Sequence, residues 1–332
     1  MSTPADRATA GSWTDDRERS NLWMLRVMRW IALTAGRRIA RLVLHPITLY
    51  FVVFGGNATR QSRRYLARAL GRPARLADVY RHIHCFASTV LDRVYFLQER
   101  FAEFEMTHSD VSLIDQRIER GEGAFMVGAH VGSFEALRAL GQDRGRRVAM
   151  VMYEDNARLI NATLAAIAPQ AQMHTIALGR LGAMIALRNW LDGGGVAGLL
   201  ADRALPGPSL RSKTVWLPFL GAAARFSDGP FRLAAMLRRP VVFISGLYLG
   251  GNRYEVRFVP LIDFSGEPGD TDARVREALE LYVAHLESLC RELPYNWFNF
   301  FDFWAEPDDT LAATSAVASA SASASATSDA DR

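Results

Sequence analysis

The chain changes texture once, near Gly121. Before it, apolar residues recur at three- and four-residue spacing. The segment "SRRYLARAL" ends at a glycine, and "LADVYRHIHCFASTVLDRVYFLQERF" keeps the helical period for more than five turns. After it, short continuous apolar runs of β type alternate with helical segments. The runs are "GAFMVGA", "RRVAMVMY", "GVAGLLA", "VVFISGLYL" and "YEVRFVPL". The helical segments are "SFEALRALG", "ARLINATLAAIA", "LGAMIALRNWLDGG", "GPFRLAAMLRRP" and the late amphipathic "ARVREALELYVAHLESLCREL". Continuous apolar strands between helices predict a sheet covered on both faces, because an uncovered strand would alternate with polar residues. The expected fold is therefore α/β: a mostly parallel or mixed sheet flanked by helices.

The same pattern divides the chain. Residues 1–20 are polar and expected to be disordered. Residues 21–120 form a helical, membrane-associated N-terminal region, and residues 121–309 the α/β domain. The Ala/Ser repeat of residues 310–332 is low-complexity and expected to be disordered. No apolar signal segment is evident in the first twenty residues.

The membrane expectation comes from charge placement. The net charge is only +4, yet Arg19–Arg75 holds twelve arginines and no Asp or Glu. These arginines punctuate apolar runs, unlike the polar basic face of a nucleic-acid binder, so nucleic acid is not an expected partner. The longest apolar stretch, Leu42–Phe54, is shorter than the roughly 20 residues that cross a bilayer. Leu22–Ala35 places Arg26 and Arg29 on one side and Trp23, Trp30, Leu22, Leu25 and Leu33 on another. That pattern predicts a helix lying in the interface of an anionic membrane. Its alternatives are core helices with an Arg-rich solvent face, and a single transmembrane helix.

Candidate chemistry gathers where apolar runs end. His130 closes the first β-type run, and open α/β sheets place sites at the carboxyl ends of their strands. Ser133 can cap a helix starting near Phe134, and Glu135 falls in its first turn. With His130 in the loop before that helix, Glu135 can fold back to its ring, fix its tautomer and leave the other nitrogen as a base. None of the other six histidines has an acid five residues on. Asp202 and Arg203 end a second run, where the arginine could meet an anionic head group or a thioester oxygen. Phe219 and Phe226 could line an acyl pocket, or be plain core. Cys85 and Cys290 lie far apart, outside any CxxC or Cys/His cluster. No G-x-S-x-G elbow, P-loop or dinucleotide fingerprint occurs, and His and Asp are not clustered as a metal hydrolase needs.

The order of these motifs resembles the bacterial lipid A late-acyltransferase family, within the lysophospholipid acyltransferase superfamily. An Arg-rich apolar N-terminus precedes strand–H-x4-E–helix, then D-R after a strand, then "PFLG" leading through Gly229-Pro230 to the Pro240 strand. The resemblance covers about residues 20–305. It implies an acyltransferase on the cytoplasmic face of the inner membrane, peripheral or monotopic. The donor would be acyl-acyl carrier protein or acyl-CoA and the acceptor a lipid hydroxyl or amine, with no metal or bound cofactor. His130 would match the catalytic histidine and Glu135 its acidic partner. Asp202 and Arg203 would match the polar block after the next strand. For the mechanism, independently of the resemblance, the backbone amides of Gly132, Ser133 and Phe134, with Arg203, are the expected oxyanion donors. The segment "LPYNWFNFFDFW" has Phe301, Asp302 and Phe303 where the family has basic residues, which looks more like a divergent branch associated with aryl-polyene-type pathways. Two other functions fit the same pattern: a non-catalytic homologue presenting lipid or acyl carrier to a partner, and a thioesterase.

Overall fold

The computed structural model describes residues 10–109, 120–136, 147–153, 174–179, 182–203, 213–266 and 269–304, with side chains from Trp30 onward. Three helices come first: α1 (Ala10–Phe54), α2 (Gly56–Leu70) and α3 (Leu76–Phe96). Strands β1 (Glu105–His108), β2 (Ala124–Gly128), β3 (Val148–Tyr153) and β4 (His174–Leu178) follow. Then come α4 (Ala183–Asp192), β5 (Val196–Leu200), the hairpin β6 (Thr214–Phe219) and β7 (Ala222–Ser227), and α5 (Gly229–Met236). Strands β8 (Pro240–Gly250) and β9 (Arg253–Asp263) and helix α6 (Thr271–Glu292) complete the order.

Seven strands form one mixed sheet in the order β1-β9-β8-β2-β5-β3-β4. Neighbours from β8 through β4 pair in parallel, and β9 turns back antiparallel on β8. The α/β architecture expected from the apolar runs is the one observed. Strand side chains alternate between two packed layers. Phe125, Val127, Ala197, Leu199 and Phe243 face the side of α4 and α6. Met126, Val196, Val242, Ile244 and Tyr254 face the side of α1 and α3. Burial on both faces is why these strands read as unbroken apolar runs.

Three features depart from the sequence-based expectation. β1 lies within the stretch expected to be mainly helical, where no strand was expected, and adds a parallel edge to β9. "TVWLPF" and "AAARFS" form a separate antiparallel hairpin. α1 begins at Ala10, inside the stretch expected to be disordered. The tail 310–332 and the segment "ARLINATLAAIA" lie outside the described residues, as do the side chains of Trp23, Arg26 and Arg29.

The N-terminal arginines are partly explained by one buried acid. Asp92 on α3 is fully buried and accepts two hydrogen bonds from Arg37, at 2.8 and 2.9 Å, and one from Tyr254 Oη at 2.9 Å. Arg41 stands 3.6 Å away, and both guanidinia also donate to the Gly251 carbonyl. Arg37 and Arg41 thus face inward and tie α1 to α3 and to the β8–β9 turn. α1 itself breaks at Gly36, whose φ of 79° lies outside helical space. Among the described residues no single helix is long and apolar enough to cross a membrane. Trp30–Phe54 and Gly56–Leu70 meet that measure only together, across a 93° bend.

Candidate active site

His130 and Asp202 occupy equivalent places at the ends of neighbouring parallel strands. β2 and β5 are in register, Gly128 opposite Leu200, and each strand continues through an alanine to its polar residue. The Ala201 amide still donates to the Gly128 carbonyl at 3.0 Å, so the pairing extends to the edge of the site. His130 Nδ1 lies 2.9 Å from Asp202 Oδ1 and 3.1 Å from Oδ2, and the His130 amide donates to Oδ2 at 3.1 Å. A carboxylate can only accept, so Nδ1 carries the proton and Nε2 is the basic nitrogen. The His130 side chain is one-third exposed and that of Asp202 is buried.

The C-terminal segment closes over this pair. The Trp297 indole N–H donates to Asp202 Oδ2 at 3.0 Å, and the Phe298 amide donates to the His130 carbonyl at 2.8 Å. Val131 bridges to Trp297, and the Asn296 side chain makes two hydrogen bonds to the Tyr248 backbone, at 2.8 and 3.1 Å. Tyr282 Oη donates to the Gly128 carbonyl at 2.9 Å and anchors the end of β2 to α6. Burial pushes the Asp202 carboxyl up. The His130 ring and amide and the Trp297 indole outweigh it, and hold the carboxyl below its ordinary value. Asp202 therefore stays ionised beside His130.

Glu135 is not placed where the H-x4-E reading put it. Its carboxylate ion-pairs with Arg93 at 2.7 Å and accepts from Ser133 Oγ at 3.1 Å, while Asp202 takes the ring nitrogen. The cause is the sheet: a neighbouring parallel strand reaches His130 directly, whereas the helix starting at Phe134 turns Glu135 toward α3.

The oxyanion expectation changes as well. The Gly132 amide donates to the Asn296 carbonyl at 2.9 Å and the Ser133 amide to the Gly246 carbonyl at 2.7 Å. Both are spent on holding the loop, and of the three expected donors only the Phe134 amide has no acceptor among the described residues. The loop requires glycine at 132: φ is +58°, and a Cβ there would meet the Gly246 carbonyl oxygen at 1.9 Å. The Arg203 guanidinium lies over the Phe301 ring, 5.0 Å from its centre. Phe219 is fully buried against Trp297 and Phe303 and Phe226 against Phe303, with ring centres 5.3–5.7 Å apart, so among the described residues both pack as core behind the site.

Trp297, His82 and Tyr282 went unassigned by sequence reasoning. For Asp202 a usable signal exists, since "VG-Ala129-His130" and "LL-Ala201-Asp202" sit at the same distance from their apolar runs. No comparable local signal marks Trp297, which lies 95 residues from Asp202. Among the described residues no hydroxyl or thiol hydrogen-bonds to His130 Nε2. Ser133 is engaged with Glu135, and burial pushes the Cys85 and Cys290 thiols up. Nor does any group of three or more His, Cys, Asp or Glu there gather as a metal site.

His82 is fully buried between these layers. Its Nε2–H donates to the Trp297 carbonyl at 2.8 Å and its Nδ1 accepts from Ser62 Oγ at 2.8 Å. Burial lowers its pKa to about 4, the Trp297 bond opposing that only in part. The unfolded chain takes up this proton near pH 6.5, whereas the folded protein does so only near 4. Stability is thus expected to fall as pH drops from about 6.5 to about 4, by about 3 kcal/mol from this group. Urea unfolding at pH 7 and pH 4.5 checks this: His82→Phe should flatten the difference, and an unchanged difference would refute the assignment.

No protein-family model and no curated protein matches the chain.

Proposed function

We propose that this protein is a membrane-associated acyltransferase that moves a fatty-acyl or related chain from an acyl thioester, on carrier protein or coenzyme A, to the hydroxyl or amine of a lipid. The carrying observation is the His130–Asp202 pair, with a basic Nε2 at the carboxyl ends of two neighbouring interior strands and no protein nucleophile bonded to it among the described residues. Such a nitrogen is suited to deprotonate an acceptor directly. The acceptor oxygen or nitrogen then attacks the thioester carbonyl, the C–S bond breaks, and the thiol leaves with the proton. Arg203 and the Phe134 amide are the groups on hand for the developing oxyanion. In this reading Asp202, rather than Glu135, orients the base. The order of motifs, which resembles the lipid A late acyltransferases, supports the acyl class. The test is mass spectrometry of lipid extracts incubated with acyl-carrier protein or coenzyme A thioesters. A new acylated lipid should form with the protein and disappear with His130→Gln. Equal product from both would refute the reading.

An exposed surface supports the membrane part. Leu42, Leu49 and Val53 on α1 are 67, 56 and 63 % exposed and share one helix face with Ile39 and Tyr50, ending at Phe54. Across the bend, α2 exposes Arg60, Arg63 and Arg64. Arg64 ion-pairs with Asp302, the neighbour of the Phe301 ring beneath Arg203, so this elbow adjoins the site. An apolar ridge beside exposed arginines suits an anionic lipid surface. Replacing Leu42, Leu49 and Val53 together by serine is expected to weaken binding to anionic vesicles about 100-fold. Co-sedimentation with vesicles measures this, and undiminished binding would assign membrane contact to another surface.

A further inference from the structure

We infer that Trp297 and His82 are positioning residues for the His130–Asp202 pair, forming a chain Ser62–His82–Trp297–Asp202–His130 that sets the carboxylate's orientation from the N-terminal helices. The catalytic meaning of this chain rests on the proposed role of His130 as the base; its geometric meaning does not.

The argument starts from Asp202. Its Oδ2 accepts from both the Trp297 indole at 3.0 Å and the His130 amide at 3.1 Å, which leaves Oδ1, at 2.9 Å, as the closer partner of the ring. Two fixed donors on one oxygen stop the carboxylate rotating, and divide its charge between the ring and the indole. Trp297 is itself held at both ends. Its ring packs edge-on against Tyr65, Phe219 and Phe303, and its carbonyl accepts the His82 Nε2–H. His82 stacks on Phe300, with ring centres 4.7 Å apart, and Ser62 on α2 donates to its Nδ1. Every member of the chain except His130 is buried. In such surroundings a missing donor is not replaced by water, so its loss is felt by the next group.

The expected sign follows. Without the indole donor, more of the Asp202 charge acts on the ring and the imidazolium is favoured. Other groups facing the pair are Arg203 beside Asp202, and Tyr282 and Cys290 from α6. Tyr65 of α2 and Cys85 of α3 face the chain from the N-terminal side. Substitutions at 297 and 82 leave all of these in place.

The test is a pH titration of the full-length protein by histidine-labelled nuclear magnetic resonance, with His130 assigned by its loss in His130→Gln. Trp297→Phe keeps an aromatic ring in this packed position and removes the indole N–H. It should raise the His130 midpoint by about half a pH unit. His82→Phe should move it the same way by less, and His82→Gln, which can still donate to the Trp297 carbonyl, should restore it. Acyl transfer by Trp297→Phe should fall about tenfold in kcat with KM unchanged. A His130 midpoint identical in all four proteins would overturn the inference even if transfer is observed. Should Trp297→Phe not fold, the His82→Phe and His82→Gln pair decides alone. Absence of transfer by the wild-type protein would instead count against the proposed function, and leave the titration result standing.

Discussion

Asp202→Asn is expected to reduce turnover about 1,000-fold while leaving the fold intact. The reason lies in hydrogen-bond direction. Asp202 accepts from His130 Nδ1, from the His130 amide and from the Trp297 indole, three donors on one buried carboxylate. An asparagine offers one accepting oxygen. With that oxygen kept by the amide and indole, its NH2 faces the ring and forces Nδ1 to accept. The imidazole proton then moves to Nε2, and the base is lost in its neutral form. Asparagine also cannot stabilise the imidazolium that forms when the acceptor is deprotonated. Glu135→Gln supplies the contrast. Glu135 meets Arg93 and Ser133, so its loss should cost less than about tenfold through loosening of the loop. Initial rates of lipid acylation measure both. A larger loss at Glu135 than at Asp202 would restore the H-x4-E pairing and refute the strand-to-strand pair.

Asp92→Ala is expected to destabilise the protein by about 3–5 kcal/mol. Arg37 would lose a bidentate partner, Arg41 a neighbouring counter-charge, and Tyr254 Oη its acceptor in a buried layer. The single change leaves two guanidinia facing an empty site, which costs far more than the pair contributes. Burial holds the Asp92 carboxyl above its ordinary value although Arg37, Tyr254 and Arg41 all favour its charge, so desolvation consumes much of the attraction. A double replacement, Arg37→Met with Asp92→Leu, should therefore cost less than Asp92→Ala alone. Chemical denaturation gives both values. A double variant less stable than the single one would show the ion pair to be a net source of stability.

The two acids show what is legible at short range. Glu135 is near His130 in sequence, and a loop conformation pairing them can be imagined from spacing alone. Asp202 is 72 residues away, and its relation to His130 depends on β2 and β5 being neighbours in register. Nothing in an apolar five-residue run states which other run lies beside it. Phe219 and Phe226 illustrate the same limit. Their apolar character is plain, but whether they line a cavity or fill one depends on Trp297 and Phe303 arriving from the far end of the chain. The N-terminal arginines divide for a similar reason. Arg37 and Arg41 turn inward because Asp92 and the Gly251 carbonyl await them, while Arg60 and Arg63 remain outside.

By itself, the sequence determined the local features of this protein. Unbroken apolar runs specify strands covered on both faces, three- and four-residue periods specify the helices, and His130, Asp202 and Arg203 stand at strand ends because their runs stop there. These follow from chain geometry over a few residues. Tertiary structure alone decided the partners: Asp202 for His130, Arg93 for Glu135, Trp297 and through it His82 for Asp202. Each of those pairings joins separate elements. It exists because parallel register, helix packing and a returning C-terminal segment bring buried donors to the acceptors that burial obliges them to find.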